Sequence, residues 1–433
     1  MTERTSSDDA RIYLVGAGIA SLAAAAFLIR DGDIPGQNIT ILEESSKIGG
    51  SLDAAGTPKD GYVMRGGRMI ESKYLCTFEL FSSIPTLDTT KTVTQEIFDW
   101  NETMRTSSKS RLFRDRHRVD APKFGLSERD ILNIERLEIE PEALLGRSSI
   151  SDQFDPSFFE TDFWFMWCTT FAFQPWHSAV EFKRYLVRFT HMVSGFNTLR
   201  GIMRTVYNQY DSMVRPLQKW LEEREVRFQL NTRVTDLRFL HDSSGYNVQR
   251  IVCNHDGRVD EMKIGKKDIV MVTAGSMTEA TSFGSMDSAP VLKGKSDGGS
   301  WALWEKIAAD QPQLPFGRPA NFTDHIQESK WVSFTTTLRG MMPFITSQFL
   351  RRAEGDRPKV IPEGLTNLAF IGQFCEIPDD VVFTVEYSIR SAQMAVYSLL
   401  GLNRTPPPVY KGSHDPRVLL KAFLTLHEIR TQS

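Results

Sequence analysis

The apolar run from Ile12 to Val15 leads straight into Gly16-Ala17-Gly18-Ile19-Ala20-Ser21, and an alanine-rich stretch then continues to Gly32. This pattern predicts a buried strand, a glycine turn and a helix, the opening of a Rossmann-type unit. Gly16 permits the tight turn and Gly18 lets the backbone approach a pyrophosphate. The free N–H groups of the helix start, around Ala20 and Ser21, meet its charge. A second strand, "NITILEE", ends at Glu43 and Glu44, with a carboxylate placed for ribose hydroxyls. The next stretch, "SSKIGGSLDAAG", brings Gly49-Gly50, Ser51 and Leu52, a second glycine pair that NAD-only enzymes generally lack. FAD is therefore the preferred dinucleotide.

Later segments extend the same unit. "FQLNTRVTDLRF" (228–239) reads as two strands around a turn, with Val234 placed to touch the adenine through its backbone. "DIVMVTAGSMTE" (268–279) is a buried strand ending in Thr273-Ala274-Gly275-Ser276, another small-residue turn. "NLAFIGQF" (367–374) is a strand ending at Gly372-Gln373, and the periodic stretch 384–401 predicts the helix that closes the flavin site. Gln373 stands where such folds usually place an aspartate, so that contact differs. The expected fold is α/β, with a discontinuous cofactor-binding domain drawn from 10–118, 201–285 and 366–404.

Between these pieces, 119–200 has a helical pattern dense in Phe and Trp. A core helix pair is the favoured reading over a cavity wall with Trp176, His177 and Tyr185 as polar handles. Residues 286–365 are irregular, with a turn expected at Met341-Met342-Pro343. The tail, 405–433, has proline breaks and an amphipathic helix from Asp415, on which Val418, Leu419, Ala422, Phe423 and Leu426 share a face. That face docks on the body or lies on a membrane surface.

The 433 residues carry a net charge of −3, which argues against a nucleic-acid partner. Four scattered cysteines form no metal or disulfide pattern and point to a reducing compartment. A polar start and the lack of a ~20-residue apolar run predict a cytoplasmic protein, at most peripheral to membrane. A homodimer is compatible with the sequence. Phe alone contributes 28 residues, a surplus suited to enclosing an apolar ligand.

The segments "YLVGAGIASLAAAAFLIRDG", "GYVMRGGR", "FAFQPWHSAVEFKRYLVRF", "GDRPKVIPEG", "NLAFIGQF" and "DDVVFTVEYSIRSAQMAVYSLLG" resemble the oleate hydratases, or myosin-cross-reactive antigens. The likeness covers most of the chain. It implies an FAD-requiring hydro-lyase that adds water across the cis-9 double bond of oleate and related unsaturated fatty acids, giving 10-hydroxy acids. It also implies that Tyr185 is the acid and that Arg65, Gly66, Gly67 and Arg68 form the flavin-facing edge. The family's water-activating glutamate follows "RGGR", but this chain has Met69 there; Glu71 is the nearest carboxylate, and Arg68, Glu71 or backbone is left to position the water. If 66–70 is a turn and helix start, Glu71 points away from the face of Met69. A nearby cation such as Arg184, or a reduced flavin edge, is expected to tune the phenol of Tyr185.

A second departure falls near Gly340-Met341, where the family carries a further stretch of substrate domain. Its loss leaves 286–365 as a shortened remnant and predicts impaired activity. Two other readings stay open: a flavin oxidoreductase acting on a lipid or amine, and a non-catalytic FAD or lipid binder.

Overall fold

The computed structural model describes residues 10–52, 54–57, 61–64, 69–105, 112–119, 124–243, 245–276, 279, 281–282, 287–292, 294, 299–334, 341–345 and 347–427. Strands β1 (Ile12–Val15), β2 (Ile39–Leu42), β3 (Arg227–Gln229), β4 (Ile269–Thr273) and β5 (Leu368–Ile371) form a parallel sheet in the order β5-β4-β1-β2-β3. Its strands come from early, middle and late parts of the chain. β1, β2 and β5 are buried along their whole length, as continuous apolar runs in a parallel sheet covered on both faces should be. Thr232–Asp242, Gly245–His255 and Arg258–Lys263 form a separate antiparallel meander.

The helices that bear on the site are α1 (Ile19–Arg30), α2 (Asp162–Phe171), α3 (Ala179–Phe189), α4 (Gly299–Asp310), α5 (Val385–Leu399) and α6 (Pro416–Leu426). α1 is buried from Ile19 to Leu28, and its small alanines let it lie close to the sheet and to α5. Gly16 takes a positive φ of 91° at the end of β1, a conformation glycine adopts without a Cβ penalty. The Gly49 N–H donates to the Ala17 carbonyl at 2.9 Å, so the two glycine turns meet backbone to backbone.

Two local expectations are corrected. A helix start at 66–70 would turn Glu71 away from Met69; residues 65–68 lie outside the described residues, and Ile70–Glu71 is a short strand, antiparallel to Ile202–Met203. The helix starts only at Leu75. A two-residue strand has no periodic signature of its own and exists because a distant partner pairs with it. Met341-Met342-Pro343 is likewise not a turn but part of strand Met341–Ile345, paired with Lys330–Phe334. Proline is accepted there because the hairpin has only two strands and each is an edge.

The aromatic segment is mainly core. Phe158, Phe163, Trp164, Trp167, Phe173 and Phe182 are buried, with Phe163 and Trp167 stacked at 5.4 Å. Trp176 is 46% exposed. His177 is wholly buried, its Nδ1 accepts from the Gln174 N–H, and burial pushes its pKa down to about 3. That is a structural histidine. On α6 only Ala422 of the expected apolar face is buried, while Leu419 and Phe423 stay exposed. Among the described residues, no helix is long and apolar enough to cross a membrane.

Candidate active site

A cavity of about 590 Å³ opens beyond the carboxyl ends of β1, β2, β4 and β5, where open α/β sheets bind their ligands. Gly16, Ala17, Gly18 and Ala20 line it from the first turn, and Glu43, Glu44, Gly50, Ser51 and Leu52 from the second. Gly275, Ser276, Gly372 and Gln373 complete that end. Met69, Glu71 and Tyr185 line the same cavity. Ser21 and Ala274 do not; both are buried. Val234 is buried in the meander opposite Cys253 and is also absent from the wall. Arg65, Gly66, Gly67 and Arg68 lie outside the described residues.

The glycine turns suit a dinucleotide for a reason the fold alone does not supply. Gly18 has an ordinary φ of −77°, and a Cβ there would meet only the Gly50 Cα at 4.0 Å. Nothing in the backbone demands glycine at that position, so the missing side chain leaves room for a ligand. α1 begins there with no side-chain cap, which leaves its first-turn donors and dipole facing the cavity. Glu43 fastens the two turns: Oε2 accepts from the Ala17 N–H at 2.7 Å and Oε1 from the Ser45 N–H at 2.9 Å.

At the other end, Tyr185 is 1% exposed among Phe171, Phe173, Phe189 and Phe349, with ring centroids 5.0 to 5.6 Å away. The Phe383 backbone approaches its hydroxyl, short of a well-formed hydrogen bond. Burial, reinforced by Tyr74 and the charge of Glu181, raises its pKa well above that of an ordinary phenol. Arg184 does not tune it. That guanidinium donates to Glu142 at 2.8 and 2.7 Å and to Glu376 at 3.0 Å, on another side of the helix.

Glu71 lies where the helix-start expectation would not put it. The short strand Ile70–Glu71 brings Met69, Ile70 and Glu71 together onto the cavity wall. It is 2% exposed, with Arg188 Nη2 3.0 Å from Oε1 and His191 Nε2 3.4 Å from Oε2.

Sequence reasoning missed Lys47, Gln209, Glu279 and Thr384, which also line the cavity. Lys47 sits two residues before the second glycine pair, a signal that could have been read. Gln209 and Thr384 arrive from distant segments and carried none. Burial pushes the Glu279 carboxyl up to about 7, and nearby Glu44 adds to the shift. The Ser300 and Trp301 N–H groups donate to it at 3.0 and 3.2 Å. Among the described residues, no group of His, Cys, Asp and Glu could hold a metal ion.

A glycine-turn cleft on a parallel sheet, continued into a buried aromatic chamber, defines an α/β protein of the dinucleotide-binding type. The MCRA family profile matches residues 9–341 and 338–397, and the chain belongs to that family. It is 33% identical to an oleate hydratase of Streptococcus pyogenes serotype M49 (strain NZ131), over 97% of this chain and 90% of that protein. It is 26% identical to a linoleate hydratase of Lactiplantibacillus plantarum, over 95% of this chain and 97% of that protein. An oxidoreductase from Methanosarcina mazei has a similar fold, with a TM-score of 0.50 at 12% identity, over 90% of this chain and all of that one. The profile match breaks at 338–341, where the sequence predicts a missing stretch. The first alignment runs over 539 positions, more than the 433 residues of the chain.

Proposed function

We propose that the chain hydrates the cis-9 double bond of oleate and related unsaturated fatty acids to 10-hydroxy acids, with FAD held along the glycine turns. Gly16 to Gly18, Gly50 and the start of α1 would hold the pyrophosphate, and Gly372 and Gln373 would border the flavin. Hydration transfers no net electrons, so the flavin would supply a planar, polar wall against the alkene. One observation carries the reading: the dinucleotide cleft and the Tyr185 chamber are a single cavity. An alkene laid against the cofactor therefore reaches the phenol without leaving the protein.

Tyr185 delivers its proton to one alkene carbon while water bonds to the other. The phenol is protonated at neutral pH, as an acid must be; burial makes it a weaker donor, so the positive charge developing on the alkene has to be met by the aromatic rings and the cofactor around it. Phe171, Phe189, Met192 and Phe383 exclude bulk water from the chain of the fatty acid. The missing stretch near 338–341 removes part of the substrate wall, which weakens fatty-acid binding more than cofactor binding.

The purified chain with FAD, a reductant and oleate should yield hydroxy acid without oxygen uptake. Flavin absorbance that cycles with substrate and oxygen would favour a flavin oxidoreductase instead. Bound FAD with neither outcome would leave a cofactor or lipid binder.

A further inference from the structure

Hydration needs a group to hold water opposite Tyr185, and position 69 offers only a thioether. Glu71 is the carboxylate on that wall, and its surroundings are more elaborate than charge balance requires. Arg188 Nη2 stands in an ion pair 3.0 Å from Oε1, and no described group completes a hydrogen bond to that buried oxygen. The Lys73 N–H donates to Oε2 at 2.7 Å, and His191 Nε2 stands 3.4 Å from the same oxygen. Arg188 is itself fixed: it donates to the carbonyls of Lys73 at 2.9 Å and Tyr410 at 3.2 Å, with its guanidinium over the Tyr74 and Tyr410 rings. The His191 ring meets Tyr410 edge-on at 5.1 Å, and its buried Nδ1 has no partner among the described residues. A glutamate that served only to neutralise Arg188 would need neither a place on the cavity wall nor a histidine behind it.

We propose that Glu71 is the water-holding carboxylate of this chain, with Arg188 and His191 as its positioning residues. The assignment rests on the hydratase reading. The alkene π pair forms a C–H bond with the Tyr185 proton and leaves the phenolate. A lone pair of water forms the C–O bond on the other carbon, and the O–H bond that breaks passes its proton to Glu71. That proton returns through cavity water to the phenolate, so no electrons or protons are left over.

The test uses the full chain with FAD and oleate. E71Q should lower kcat by about 100-fold or more, the range expected for loss of a general base, with the FAD titration unchanged. M69E in the E71Q background should restore hydration, because it returns a carboxylate to the same wall. H191L should lower kcat by about 10-fold at unchanged KM, and H191Q, which keeps a donor, should recover most of it. E71Q within about threefold of wild type overturns the assignment. So does E71Q that also loses FAD, or that M69E fails to rescue, since Glu71 is then structural. A wild-type chain that binds FAD and leaves oleate unchanged fails at the hydratase reading itself, before Glu71 is at issue.

Discussion

Gly18 and Gly50 touch, yet each is glycine for a different reason. Gly50 has φ +52°, and a Cβ on it would come within 2.9 Å of the Gly18 Cα, so the fold itself requires it. Gly18 has no such need. G50A should therefore lower stability by about 1–3 kcal/mol, the cost of a strained backbone position, and lose FAD as well. G18A should leave the melting temperature near wild type and abolish FAD binding, read by flavin fluorescence quenching. Glu279 gives the cavity a pH dependence of known sign. Its folded pKa, about 7, is raised from the usual 4.5, so its contribution to stability is present below 4.5 and lost as the pH rises through 7. The ionised form adds negative charge beside Glu44, against a pyrophosphate. FAD affinity should fall between about pH 6 and 8, and E279Q should flatten that slope in a titration at each pH.

α3 shows how one element serves several anchors at once. Glu181, Arg184 and Arg188 fall three and four residues apart, with Tyr185 among them on the turn after Glu181. Glu181 is fully buried; burial alone would raise its pKa, but Arg357, Arg352 and Arg184 outweigh it and hold the carboxyl at about 2. Its Oε1 accepts from Arg352 at 2.8 Å and Arg357 at 3.0 Å, both within the shortened remnant and just past the break near 340. Arg184 reaches Glu142 and Glu376, and Arg188 reaches Glu71 and the tail at Tyr410. These pairs fix the axis of α3 and hence the position of the phenol. E181Q removes the carboxylate shared by two buried arginines, which keep Glu376 beside them, and should cost about 1–3 kcal/mol, read as a lower urea midpoint at unchanged slope. The wild-type chain should lose this contribution between pH 4.5, the ordinary value, and about 2.

At the scale of the whole molecule, what was legible was local. The strand–glycine–helix start, the second glycine pair and the strands ending at Thr273 and Gly372 could be read because apolar runs and glycines report their own backbone needs. The MCRA membership and the break near 340 followed from long, idiosyncratic segments. The orientation of Glu71 was not legible, because Ile70–Glu71 is a strand only through Ile202–Met203. The commitment of Arg184 to Glu142 and Glu376 was equally hidden, since ion-pair partners some 40 and 190 residues away leave no periodic trace. Val234 lies on the meander opposite Cys253, where cross-strand register decides which backbone faces the cavity, and register leaves no periodic trace. The central claim is that one cavity brings cofactor, phenol and water to an alkene, and its most direct test is hydration in heavy water. The purified chain with FAD, a reductant and oleate in D₂O should form 10-hydroxystearate with one deuterium on the neighbouring carbon, located by mass spectrometry and NMR. A chain that binds FAD and returns oleate unlabelled and unchanged would contradict the account.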